Sequence, residues 1–151
     1  EQGFVANNLG NIHLYRGDFE HASQLFSESN AIWKRIGAPL PEAVTLSNLA
    51  QVEIYRKDWG RVRELLDASE AIFARLGSED FLPELERRWA EYYSGVGELE
   101  RARDKVQRSV DLAVQQDARL DQGISLRVLG RIELGRGESQ KAKAASDLWL
   151  S

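Results

Sequence analysis

Residues 8–26 read NLGNIHLYRGDFEHASQLF, and the same pattern returns at residues 48–66 as NLAQVEIYRKDWGRVRELL. It comes back at residues 88–106 as RWAEYYSGVGELERARDKV and at residues 128–146 as VLGRIELGRGESQKAKAAS. The spacing is 40 residues each time, without a gap. A large apolar residue precedes Gly or Ala at Leu9-Gly10, Leu49-Ala50, Trp89-Ala90 and Leu129-Gly130. Ile12, Val52, Tyr92 and Ile132 share a second column. Gly17-Asp18, Lys57-Asp58, Gly97-Glu98 and Gly137-Glu138 share a third. Phe19, Trp59 and Leu99 follow, with Ser139 as the weak member, and then Ala22, Val62, Ala102 and Ala142. Phe26, Leu66 and Val106 come next, with Ser146 departing, and Ile32, Ile72 and Leu112 close the pattern. Columns kept in one register are the signature of a repeat architecture, in which each repeat is one supersecondary unit stacked on the next.

Each column has a physical reason. Small residues at Gly10, Ala50, Ala90 and Gly130, opposite Ala22, Val62, Ala102 and Ala142, let two helices approach closely while larger neighbours fill the space. Gly followed by an acid suits a tight turn: Gly tolerates positive φ, and the acid caps the next helix. Gly37 and Gly77 stand where C-cap glycines stand, with Pro39, Pro41 and Pro83 in the connections that follow. Apolar spacing within each segment is helical rather than alternating. In the second helix of repeat one, Phe19, Ala22, Leu25, Phe26, Ser29 and Ile32 form one stripe. The expected architecture is all-α, with eight helices. First helices fall near residues 3–16, 42–56, 82–95 and 120–135, and second helices near 18–36, 58–76, 98–116 and 138–150. The four repeats span about 3–40, 42–80, 82–119 and 120–151 of a single domain covering 1–151.

These columns resemble the tetratricopeptide repeat. Repeat one carries the resemblance in Leu9, Gly10, Gly17, Phe19, Ala22 and Phe26; repeat two in Leu49, Ala50, Trp59 and Leu66. Repeat three keeps Trp89, Ala90, Gly97 and Ala102, and repeat four keeps Leu129, Gly130, Gly137 and Ala142. The 40-residue period is similar to the long variant found in kinesin light chains and in bacterial signalling regulators and transcriptional activators. The resemblance implies a right-handed α-solenoid of four helix–turn–helix repeats with a concave groove lined by the first helices. It also implies a non-catalytic scaffold that binds a protein or peptide. Groove columns would carry Asn7, Asn8, Asn11, Tyr15, Asn48, Gln51 and Tyr55 in the first two repeats, and Arg87, Arg88, Arg127 and Arg131 in the last two. Amides pair with peptide backbone of any sequence, and arginines hold carboxylates. The family's clamp for C-terminal carboxylates is matched at Asn11, Asn48 and Arg88, whereas Asn7 and Glu84 stand where its lysines belong. The amide columns read equally as a solvated face, and the arginines as ion pairs with Glu84, Glu86 and Glu91.

Composition narrows the remaining classes. A net charge of −4 argues against direct nucleic-acid binding, and the absence of cysteine removes thiolate metal sites and thiol nucleophiles. No apolar run reaches membrane-spanning length, so no membrane role is expected and the location expected is cytoplasmic. His13 and His21 lie on different helices with no carboxylate partner set by spacing, so neither catalysis, metal nor cofactor is expected. The chain holds no Met and reads as a slice of a longer protein. Its last apolar residues, Leu148, Trp149 and Leu150, mark either a cut within a longer array or an end-on self-association patch. A regulatory module within a bacterial multidomain signalling protein or transcriptional activator, and a spacer, stand as alternative functions.

Overall fold

The tight turns act first. Gly17 (φ 77°) and Gly97 (φ 85°) take the left-handed conformation, and Lys57 takes it as well (φ 61°). The second turn therefore keeps its shape without glycine, at the steric cost a side chain carries there. Asp18 and Asp58 then cap the following helices by accepting from the backbone N–H of His21 at 3.3 Å and of Arg61 at 3.1 Å. Gly37 and Gly77 end the second helices in the same left-handed conformation.

The computed structural model describes residues 1–150, except for the side chains of Ala145, Ser146, Leu148, Trp149 and Leu150. The helices are α1 (Gln2–Tyr15), α2 (Phe19–Ile36), α3 (Pro39–Arg56), α4 (Trp59–Leu76), α5 (Leu82–Gly95), α6 (Leu99–Gln115) and α7 (Arg119–Leu150). Pro39, Pro41 and Pro83, expected in connections, instead lie in first turns, the first two opening α3 and the third α5. The first turn of a helix has no intrahelical partner for its N–H groups, so proline loses nothing there. No strand forms among the described residues, and no helix there is long and apolar enough to cross a membrane. The chain divides into two compact units, Glu1–Phe81 and Leu82–Ser151.

In the first unit, α1 packs on α2, α2 on α3, and α3 on α4. Bulk is traded between facing columns. A Cβ on Gly3 would lie 2.6 Å from the Trp33 ring, and one on Gly10 would lie 2.7 Å from Phe26. One repeat later the same columns hold Ala43 with Phe73 and Ala50 with Leu66, all buried. The first-helix residue grows as its second-helix partner shrinks, which keeps the interior at crystal-like density. Gly10 therefore makes room chiefly for Phe26. The buried stripe of α2 is Ala22, Phe26, Ser29 and Trp33. Trp33, one position after the expected Ile32, fills the end of the pattern.

In the second unit, α5 packs on α6 and α7 packs on both. Ala90, Ala102, Val106, Val128 and Ile132 form its core, with Tyr93 and Leu129 against it. The expected eighth helix is absent as a separate element. α7 runs straight through Gly137-Glu138, where a turn was anticipated, and Gly137 is not among the positive-φ glycines. The repeat holds as far as Arg136. That guanidinium forks between Glu100 and Glu133, as Arg56 forks between Glu20 and Glu53. After it the pattern fails because Ser139 and Ser146 replace the apolar stripe. A helix folded back there would bury too little apolar surface to offset turn formation and closure. Consistent with this, Gly123 and Gly130 have nothing within 4 Å of an added Cβ, and Ala142 is exposed. The side chains of Leu148, Trp149 and Leu150, the anticipated self-association patch, lie outside the described residues.

Candidate functional site: an apolar cavity and a histidine-lined turn

Buried serines organise both units. Ser29, Ser69 and Ser109, each 40 residues apart, donate to the backbone carbonyls of Gly3, Ala43 and Pro83, 26 residues earlier in every case. In the first unit the network extends outward. The Trp33 indole N–H donates to the Thr45 hydroxyl at 3.1 Å, and Thr45 donates to the Asn7 carboxamide oxygen at 3.4 Å. The Asn48 amide donates to that same oxygen at 3.1 Å. The oxygen of Asn7 is thus committed, while its amide nitrogen has no partner among the described residues.

Beside this network lies a cavity of about 240 Å³ lined by Phe4, Asn7, Trp33, Leu40, Pro41, Val44, Thr45 and Phe81. Phe4 meets Trp33 edge-on with ring centroids 4.8 Å apart, and Phe81 stacks on Phe73 at 5.5 Å, so both aromatic walls are braced. Neither Phe4 nor Phe81 stood out in the sequence, because the residue type in their columns changes from repeat to repeat.

The second unit rebuilds the network 80 residues later with different chemistry. Ser109 meets Ser125 at 2.8 Å, and Arg87 stands in the column of Asn7. Its guanidinium donates to Ser125 at 3.3 Å and to Asp121 at 3.1 Å, and Asp121 occupies the column of Pro41. Glu84, in the column of Phe4, pairs with Arg88. Where the first unit presents an aromatic, a proline and an amide, the second presents two ion pairs.

Of the residues anticipated in a groove, the structure brings Asn7 and Asn48 into contact. Asn48, Arg87 and Arg88 are buried and bonded inside their own units. Their columns predict the helix face but not that α3 and α5 are flanked on that face. Asn11 and Gln51 are half-buried, and Asn8 is exposed. Tyr15 is exposed, and Tyr55 stacks on Phe19 with centroids 5.3 Å apart. Arg131 pairs with Glu91 at 3.2 Å, and Arg127 is exposed.

The histidines require a correction. They do share a carboxylate: Asp18 Oδ2 lies 3.0 Å from His13 Nδ1 and 2.7 Å from His21 Nδ1. The turn at Gly17 folds the end of α1 against the start of α2, which residue spacing alone did not convey. The hydrogen bond from His21, supported by the one from His13, holds the Asp18 carboxyl below the usual carboxylate range.

No family model matches this sequence, and no curated protein matches it. Among solved structures it is similar to that titled "Crystal structure of BtubC (BKLC) from P. vanneervenii", with a TM-score of 0.73 and 18% identity. The match covers 96% of this chain and 60% of that one, so the chain spans only part of its neighbour's length. This likeness shows the fold alone, an all-helical repeat.

Proposed function

We propose that the protein is a protein-interaction scaffold whose Glu1–Phe81 unit binds an extended peptide by taking one apolar side chain into the cavity between α1, α2 and α3. The observation that carries this reading is the cavity itself, an apolar recess with one uncommitted amide donor on its wall. Its volume of about 240 Å³ falls below the roughly 300–1,000 Å³ of small-molecule sites, which favours a single side chain over a metabolite. Aromatic walls supply burial, and the Asn7 amide nitrogen is placed to donate to a carbonyl of the peptide backbone. Asn8 and Asn11 continue the amide-bearing face along α1 and offer further sequence-independent pairing. The cavity is not a by-product of the repeat, since the equivalent columns of the second unit carry ion pairs. The repeat length favours the long variant of the family, and interaction through such repeats is the family's common use.

A displayed peptide library selected on the protein, with a Val44→Glu variant as counter-target, tests this directly. The expected result is enrichment of peptides sharing one aromatic or long aliphatic residue, each losing at least about tenfold in affinity on the variant, or about 1.4 kcal/mol. Equal enrichment on both proteins removes the cavity from the function.

A further inference from the structure

We propose that His13, Asp18 and His21 form a site for one divalent transition-metal ion of the zinc class. One ligand atom from each residue lies within 4.8 Å of the others. A tetrahedral ion with bonds of about 2.0–2.2 Å needs its donors roughly 3.3 Å apart. The carboxylate oxygen already stands 3.0 and 2.7 Å from the two imidazole nitrogens. Small rotations of the imidazoles, whose centroids are 5.3 Å apart, open the space an ion requires.

The carboxylate is oriented in advance. Asp18 Oδ1 is engaged by the backbone N–H of His21, which leaves Oδ2 to face both rings. The positive end of α2 disfavours a cation there, and the charge of Asp18 offsets it. The three side chains are partly exposed, so a fourth position stays open to water. Two imidazoles and a carboxylate suit zinc, cobalt, nickel or copper rather than calcium or magnesium, which prefer oxygen donors throughout.

The other repeats supply an internal comparison. The same three columns hold Glu53, Asp58 and Arg61 in the second repeat, and Tyr93, Glu98 and Arg101 in the third. In the third they still converge: Arg101 donates to Tyr93 and to Glu98, both at 2.8 Å. Both turns fold without a single imidazole, so the histidines of the first turn are an addition to the fold rather than a requirement of it.

The test is a zinc(II) titration followed by calorimetry and by the imidazole proton resonances, which come from only two histidines. The parent should bind one equivalent, with both imidazoles shifting together. Two variants accompany it. His13→Glu with His21→Arg imports the second repeat's pair and should bind no zinc while remaining helical. Asp18→Asn keeps a helix cap but removes the ionised ligand, and should weaken binding at least tenfold. No saturable uptake by the folded parent at sub-millimolar zinc overturns the proposal. So does undiminished uptake by either variant, or a shift of only one imidazole.

Discussion

Gly10 and Gly130 occupy the same column of the repeat, yet alanine at the two positions should act in opposite directions. A Cβ at Gly10 lies 2.7, 2.8 and 3.1 Å from three carbons of the Phe26 ring. That ring is fully buried, so it has nowhere to retreat. Overpacking of this kind costs up to about 3 kcal/mol, while replacing a mid-helix glycine returns about 1 kcal/mol of helix propensity. The net is a loss of about 2 kcal/mol, or roughly 4–8 °C in melting temperature for a chain of this size. At Gly130 nothing lies within 4 Å, and only the propensity remains, a gain of about 1 kcal/mol or roughly 2–4 °C. Thermal and urea unfolding by circular dichroism read both. Pairing Gly10→Ala with Phe26→Leu imports the Ala50 and Leu66 combination of the second repeat. The double variant should be more stable than the sum of the single changes predicts. Destabilisation by Gly130→Ala comparable to that of Gly10→Ala would refute the reasoning, because it would mean that a second helix folds back onto the fourth repeat. Strict additivity of Gly10→Ala and Phe26→Leu would refute the traded-bulk account.

Three further outcomes follow from the buried networks and the surface pairs. Ser69→Ala removes the hydroxyl bond to the Ala43 carbonyl and should cost about 1 kcal/mol, whereas Ser109→Ala also takes from Ser125 one of its two partners, leaving only Arg87, and should cost more; urea midpoints rank the two. Asp121→Asn leaves the buried Arg87 guanidinium without its counter-charge and should cost roughly 2 kcal/mol, toward the low end because Asp121 is 36% exposed. Arg87→Met should be milder, since it removes the charge along with the partner's role. The two-pronged bond from Arg136 holds the Glu100 carboxyl below its ordinary range. A depressed folded-state value means that the stabilisation is present above the ordinary carboxylate pKa and fades as pH falls through the lowered one. The stability gap between parent and Glu100→Gln should therefore hold steady near neutral pH and close below about pH 4, which denaturant melts across that range will show.

The repeat was legible because its columns reflect packing that each turn of the array must reproduce. Leu9-Gly10, Phe26 and the Gly-acid turns placed six of the helices within a few residues. The fourth repeat misled because Gly137-Glu138 carries the turn chemistry without the apolar stripe that makes a turn worthwhile, and Ser139 and Ser146 were the warning. The evenly spaced Ser29, Ser69 and Ser109 were also readable as a polar column within an apolar stripe, which signals a hydroxyl bonded to the neighbouring helix. The candidate site was less legible. Helix columns give a face, but whether another helix covers that face is a tertiary matter, and it is why Asn48, Arg87 and Arg88 turned out to be buried. Phe4 and Phe81 line the cavity from columns that keep no residue type along the chain: Phe4, Val44 and Glu84 in one, Pro41, Phe81 and Asp121 in the other. His13, Asp18 and His21 meet only because positive φ at Gly17 turns α2 back on α1.

The most direct test of the peptide-binding account is a methyl NMR titration with a panel of short peptides that each carry one aromatic or long aliphatic residue in an otherwise polar backbone. Leu40 and Val44 report on the cavity, and Leu126 and Leu134 of α7, which belong to the other unit, serve as references. The account predicts saturable shifts at Leu40 and Val44, absent when the apolar residue is replaced by serine, with the α7 methyls unmoved. Saturable binding that shifts other methyls while leaving Leu40 and Val44 in place would contradict it.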